Sequence, residues 1–498
     1  MRFQEKQKNI PEPSLKDKTA KGLFWGGMSS GLQQIFQLIF GIVMLSLLDP
    51  EDFGIVGLLA IFLAIAVLTQ DGGFAIALIN RKEIRYEDYN AVFWFNIIIS
   101  SVLYIILFFS APLISHFYNT DILTRVARVF FLSFLFIGIG NAHYAYMSKT
   151  LMVKEKATID VISLLVSGIT GIIMAYKGFA YWAIVLQSTS YFFISTSMKW
   201  FYVSWKPSLN INLKPLKHMF SFSINLYLTN IFSKISENIF SVLLGKFYDT
   251  KDIVGYYTQG HKWSVMGGTF VSGMLNSVAM PVFVQINEEK DRQRKAFRKM
   301  LRFGALISFP SLLGLFFVGK DFLLIIANGD KWQPATPFLQ LFCLWYSVYF
   351  IWSLYTNMLL THKKSNIYMW GTILTAISQL ISITILFLLK CSIQQMVIAH
   401  IGIYFMSLLF WQYFIHKLIG LKFSHVIRDI APYLTISIGC ILISWFVTKG
   451  IENIYVRFTL KIIITAILYI TIVWKSNSTI IRESYAFFQR KPTKYTNE

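Results

Sequence analysis

Four polar side chains, Asn230, Lys234, Glu237 and Asn238, recur at three- and four-residue spacing inside a stretch that is otherwise apolar. On a helix that spacing places them on one face. Ionisable groups at membrane depth are expensive and by default face a cavity or a partner. Two chemistries fit: Lys234 as a cation that receives a phosphate or pyrophosphate group, or Lys234 and Glu237 as a structural ion pair. Lys234 lies near the middle of its stretch, too deep for its ammonium to reach the headgroups easily. Lys262 lies nearer one end of the next stretch and can reach them. His261 beside it has the weaker claim, because a lone histidine more often satisfies a packing contact. Gln33, Gln34 and Gln37 add amides to the first apolar stretch. Asp71, in TQDGGF, is read as the lone acid of the apolar stretches in the first half, either a gating or coupling-ion residue or a packing partner for a base. Together these residues imply a water-filled cavity with a cationic wall.

The elements that must position them are membrane helices. Hydrophobic residues make up 55% and charged residues 14% of the 498 positions, which excludes an ordinary soluble globule. About fourteen apolar stretches are long enough to cross a bilayer, and each must be helical, because a strand in lipid leaves backbone groups unpaired unless a barrel closes. The expected fold is an all-α polytopic membrane protein. Its parts are a tail over 1–21, a six-helix bundle over 22–203, a polar or amphipathic linker over 204–218, a second six-helix bundle over 219–416, two additional helices over 417–474 and a tail over 475–498. Gln33 and Gln37 fall in the first span, Asp71 in the second, Lys234 in the seventh and Lys262 in the eighth, so these four spans would line the cavity. The ninth span is expected from residue 300, after the charge run NEEKDRQRKAFRK read as a solvated helix, and the tenth as one span over 335–360.

Lys and Arg crowd alternate connections, with 33 of the 46 on one side of the membrane and 8 on the other. By the positive-inside rule both termini are cytoplasmic. These juxtamembrane residues account for the net charge of +21, so nucleic acid is not an expected partner. The first twenty residues are too polar for a cleavable signal, and the first span is expected to be retained. Cys343, Cys391 and Cys440 lack CxxC spacing, which argues against a disulfide framework or metal site. No HExxH or Walker sequence occurs, so the chain is not expected to be an enzyme of those kinds or to use ATP.

An internal repeat is visible at one turn of each half. LSLLDPEDFGIVGLL (45–59) lines up with LGKFYDTKDIVGYY (244–257), pairing Asp49 with Asp249 and Asp52 with Asp252, while Gly54 and Gly255 fall one residue out of step. Six spans separate the copies. An even number gives two halves of the same orientation related by a pseudo-two-fold axis along the membrane normal, an arrangement of many transporters.

At LLDPEDFG (47–54), QDGGFAIAL (70–78), LGKFYDTKDIVGYY (244–257) and PVFVQ (281–285) the chain resembles the polysaccharide transporter branch, the Wzx-type flippases, of the multidrug, oligosaccharidyl-lipid and polysaccharide exporter superfamily. The resemblance runs over essentially the whole length. It implies two six-helix bundles plus two C-terminal helices in a bacterial inner membrane, and export of undecaprenyl-diphosphate-linked oligosaccharide by alternating access, for O-antigen, capsule or exopolysaccharide assembly. The cationic cavity would receive glycan and pyrophosphate while the lipid tail stays among the membrane lipids. A glycan polymerase and a chain-length regulator are the implied partners. No cofactor is expected, and coupling to Na+ or H+ stays open. The chain departs from the family in the seventh span, where an Asp often follows an Asn; here Glu237 precedes Asn238. The alternatives are a cation-coupled drug or metabolite exporter of the same fold, and a membrane glycan polymerase or ligase. Against the last stand short outer connections, with no paired carboxylates beyond Asp49/Asp52 and Asp249/Asp252.

Overall fold

The computed structural model describes residues 15–71, 78, 84–150, 152–248, 251–286, 288–326 and 329–476. Among the described residues there is no strand. The helices are α1 (Leu15–Leu47), α2 (Pro50–Asp71), α3 (Tyr86–Phe117), α4 (Leu123–Phe130), α5 (Leu132–Lys149), α6 (Val153–Tyr176), α7 (Tyr181–Tyr202) and α8 (Lys217–Phe247). They continue as α9 (Asp252–Gln285), α10 (Lys290–Ile326), α11 (Thr336–Tyr346), α12 (Tyr349–Thr361), α13 (Ser365–Leu388), α14 (Ile393–Ile419), α15 (Phe423–Thr448) and α16 (Ile454–Lys475). With α4 joined to α5 and α11 to α12, the described residues make fourteen segments of bilayer length, the number the apolar stretches imply. Eight are apolar enough to cross a membrane on composition alone, and the bent α11–α12 pair makes a ninth. The other five, α1, α2, α7, α8 and α9, have 22 residues or more, enough to span at 1.5 Å per residue. In α8 and α9 the hydropathy is diluted by the amides, hydroxyls and lysines that mark the candidate site. The chain is a multi-pass membrane protein.

The tenth span is broken where one continuous helix was expected. α11 and α12 meet at an angle of 41°. At the break Ser347 Oγ donates to the Leu344 carbonyl at 2.8 Å, and Ser308 Oγ of α10 donates to the Ser347 carbonyl at 2.9 Å, so side chains satisfy backbone groups that the helix gives up. The ninth span starts ten residues before the expected Met300, because the charge run is the opening of α10. Within it Gln293 and Phe297 are buried, and Phe297 stacks between Phe283 and Tyr355, so this turn packs instead of being wholly solvated.

The chain divides into two compact units, one of residues up to Leu48 with Leu59–Tyr227, the other of Asp49–Leu58 with residues from Leu228 on. In the first unit α6 packs on both α1 and α7, and α3 on α5. Where α3 begins, the rings of Phe93, His143, Trp200 and Trp205 close a buried aromatic cluster. The connection after α7, expected as a polar linker or amphipathic helix, is without helix over 203–213 and is strapped over this end. Tyr86 OH donates to the Lys206 carbonyl at 2.7 Å, Trp94 Nε1 to that of Ser208 at 2.7 Å, and Asn90 Nδ2 to that of Asn210 at 2.6 Å.

In the second unit α10 is the central post, with α9, α11, α15 and α16 packed on it. The two C-terminal helices are fastened to α10 near opposite ends. Arg298 forks onto Asp429 of α15 with contacts of 2.6 and 3.0 Å. Asp321 receives Arg457 at 2.8 Å and Lys461 at 2.7 Å from α16. Both carboxylates are buried, so the paired cations offset a desolvation cost that an unpaired acid would bear alone.

The first nine residues of α2 also belong to the second unit. Asp52 caps their turn by accepting the Asp49 N–H at 3.0 Å, so this carboxylate serves helix initiation. Phe53 meets the buried Trp332 edge-on, and Lys331 lies 3.5 Å from Asp49. The equivalent of Asp49 in the repeat, Asp249, lies outside the described residues.

Candidate functional site

The polar face of α8 is assembled as its spacing predicts. Lys234 Nζ lies 2.6 Å from Glu237 Oε2, with side chains 38% and 42% exposed. Both side chains are partly accessible, so an anionic ligand can reach Lys234 beside its carboxylate. Asn238 Nδ2 donates back to the Lys234 carbonyl at 2.9 Å, which turns that amide toward its own helix. Asn230 is exposed one turn before Lys234.

Glu237 also faces a cavity of about 80 Å³, lined by Trp345 and Tyr346 of α11, Tyr349 of α12 and Tyr404 of α14. That volume holds a few waters or a small ion and is too small for a saccharide. Ser236, buried beside Glu237, donates to Gln379 of α13. His261 of α9 reaches the same group of residues, its Nε2 3.1 Å from Tyr346 OH, while its ring lies parallel to Tyr257 and edge-on to Phe342. Glu237 and His261 are thus brought together around Tyr346, with Lys234 joined to the group through Glu237 and phenol hydroxyls supplying neutral donors and acceptors.

Lys262 is exposed, does not line this cavity, and holds its ammonium 5.9 Å from the Trp263 ring centroid. Gln33 and Gln37 lie on α1 of the first unit, where Gln33 Nε2 donates to Ser29 Oγ at 2.9 Å and Gln37 is exposed. Asp71 is the last residue of α2, and its side chain and the two glycines after it lie outside the described residues. Asp160 on α6 is a second acid of the first-half spans, which corrects the reading of Asp71 as the lone one.

Sequence reasoning did not select the aromatic wall formed by Trp345, Tyr346, Tyr349 and Tyr404. Its signal was the WYSVYFIW run, where 345, 346, 349 and 352 recur at helical spacing, since a Tyr at membrane depth needs a partner for its hydroxyl. Among the described residues no group of three or more His, Cys, Asp or Glu is placed to hold a metal ion.

These features define a helical, multi-pass membrane protein with a cation and a carboxylate on one face of α8. The chain belongs to the polysaccharide biosynthesis protein family, whose profile matches residues 43–337. It is 27% identical over 341 residues to an uncharacterised membrane protein in the cps region of Klebsiella pneumoniae, covering 66% of this chain and 68% of that one. It is 23% identical over 337 residues to the lipopolysaccharide biosynthesis protein WzxC of Escherichia coli, covering 66% and 67%. The fold is shared with the lipid II flippase MurJ in an inward closed conformation, with a TM-score of 0.74 at 15% identity over 90% of this chain and 97% of that one.

Proposed function

We propose that this chain is a flippase that carries undecaprenyl-diphosphate-linked oligosaccharide across the inner membrane of a bacterium by alternating access, with both termini cytoplasmic. The observation that carries the reading is a conjunction: a chain of the polysaccharide biosynthesis family has the fold of a lipid II flippase. It acts as a transporter and makes or breaks no covalent bond. Its product passes to a glycan polymerase and a chain-length regulator.

Lys234 receives the pyrophosphate. Its bond to Glu237 is partly accessible, and a diphosphate offers more negative charge than one carboxylate. Lys262 and the α1 amides Gln33 and Gln37 contact the glycan or the phosphates at other stages of the cycle. Glu237 couples transport to a Na+ or H+ gradient, because its carboxylate lies both on Lys234 and on the small hydroxyl-lined cavity. Neutralising it there releases Lys234 for the cargo. Asp71 and His261 act in gating.

Deleting the gene in its host tests this. Accumulation of lipid-linked oligosaccharide on the inner leaflet with loss of surface polysaccharide supports the reading. Altered drug sensitivity with no such accumulation contradicts it and favours the small-molecule exporter.

A further inference from the structure

We propose that the cavity formed where α10 and α15 begin and α16 ends binds a phosphate group, and that in the membrane this is the phosphodiester of an anionic phospholipid. The cavity measures about 580 Å³ and is lined by Arg298, Arg302, Arg428, Asp429, Ile436 and Ser476 among others. Three guanidinium groups converge on it against one carboxylate, and no other acid lines it among the described residues.

The partners are unequally shared. Arg298 takes Asp429 in a two-point fork at 2.6 and 3.0 Å. Arg302 approaches the same carboxylate only to 3.8 Å and donates its Nε to the Arg298 carbonyl at 3.3 Å. Arg428 is exposed and makes no hydrogen bond or ion pair among the described residues. Among the described residues the lining carries two more positive charges than negative ones, around a space large enough for a headgroup.

Guanidinium donors match the tetrahedral oxygens of a phosphate. The lining comes from the ends of three membrane-spanning helices, at the end where most of the chain's Lys and Arg lie. Anionic headgroups concentrate there, and basic pockets between spans are where they lodge. Ile436, two turns into α15 from Asp429, carries the lining toward apolar depth, where acyl chains would follow. A lipid held there would touch all three helices and hold the C-terminal pair against α10. The site is independent of the cargo proposed above.

The test uses the full-length chain in detergent. The thermal midpoint and native mass spectra are recorded against phosphatidylglycerol, phosphatidylcholine of the same acyl chains, and inorganic phosphate. Phosphatidylglycerol should bind in preference to phosphatidylcholine, and each arginine removed should weaken it about fivefold. The variant R302Q/R428Q leaves the Arg298–Asp429 fork intact; should it fail to fold, R428Q alone, at an exposed position, carries the test. Protection by inorganic phosphate equal to that by phosphatidylglycerol, and lost in the variants, would keep the site but overturn the lipid as its source. Equal binding of the two lipids, or binding unchanged by the variants, would overturn the site.

Discussion

Gly54 and Gly255 close on each other's turns. A Cβ on Gly54 would lie 2.0 Å from the Lys251 carbonyl oxygen, and a Cβ on Gly255 would lie 1.9 Å from that of Pro50. This reciprocity is the local mark of a two-fold relation between the repeated turns. It also explains why both carry glycine: each faces backbone, which cannot swing aside as a side chain can. Gly54→Ala and Gly255→Ala should each destabilise the protein by about 1–3 kcal/mol or more. Gly31→Ala, which would meet nothing within 4 Å, is the control. Thermal unfolding of the purified variants measures the difference, and equal midpoints for all three would refute the close approach.

Asp321 is buried and neutralised by two cations on α16, so removing its charge leaves Arg457 and Lys461 without their acid. Asp321→Asn should cost about 3 kcal/mol or more and make the last helix susceptible to proteolysis. Asp49, 75% exposed and 3.5 Å from Lys331, should tolerate the same change within about 1 kcal/mol. A proteolysis pattern unchanged by Asp321→Asn would show that apolar packing alone retains α16.

Glu237→Gln removes the acid that competes for Lys234. Binding of a soluble diphosphate-linked sugar analogue should tighten severalfold while transport slows, because the release step loses its competing anion. Titration calorimetry and a flipping assay separate the two effects. Weaker binding would mean that Glu237 helps to hold the cargo.

His362 follows α12, and its Nε2 lies 3.1 Å from Gln293 Oε1. Burial, then Lys290 and Lys364, hold its pKa below the ordinary 6.5. Protonating it therefore favours the unfolded chain. Its contribution to stability is full above pH 6.5 and is lost as the pH falls from there through its folded-state pKa. The thermal midpoint of His362→Gln should fall less than that of the parent between pH 7 and pH 5. Parallel pH profiles would contradict this.

The spans were legible because lipid allows little else than long apolar helices. The shared face of Lys234 and Glu237 followed from spacing alone, and the two meet at 2.6 Å. The break at Ser347 was not legible, since one of the hydroxyls that satisfy its backbone groups lies on α10, at Ser308. The partners of Asp321 lie 136 and 140 residues away, a separation that no local pattern reports. Tyr346 and Tyr404 were hidden by abundance: with aromatics at 17% of the chain, an aromatic that lines a site looks like one that fills a core.

The most direct test of the central claim is transport by the purified chain in proteoliposomes. A fluorescent undecaprenyl-diphosphate-linked oligosaccharide is supplied in one leaflet, and its arrival in the other is read with an impermeant quencher. The parent chain should move it, and Lys234→Ala should slow the movement at least about tenfold, the effect of some 1.4 kcal/mol of lost interaction, while inserting and folding normally. Absence of translocation by correctly folded parent protein across several glycans and ion gradients would contradict the flippase reading. Full-rate translocation by Lys234→Ala would leave flipping in place and remove Lys234 from the phosphate site.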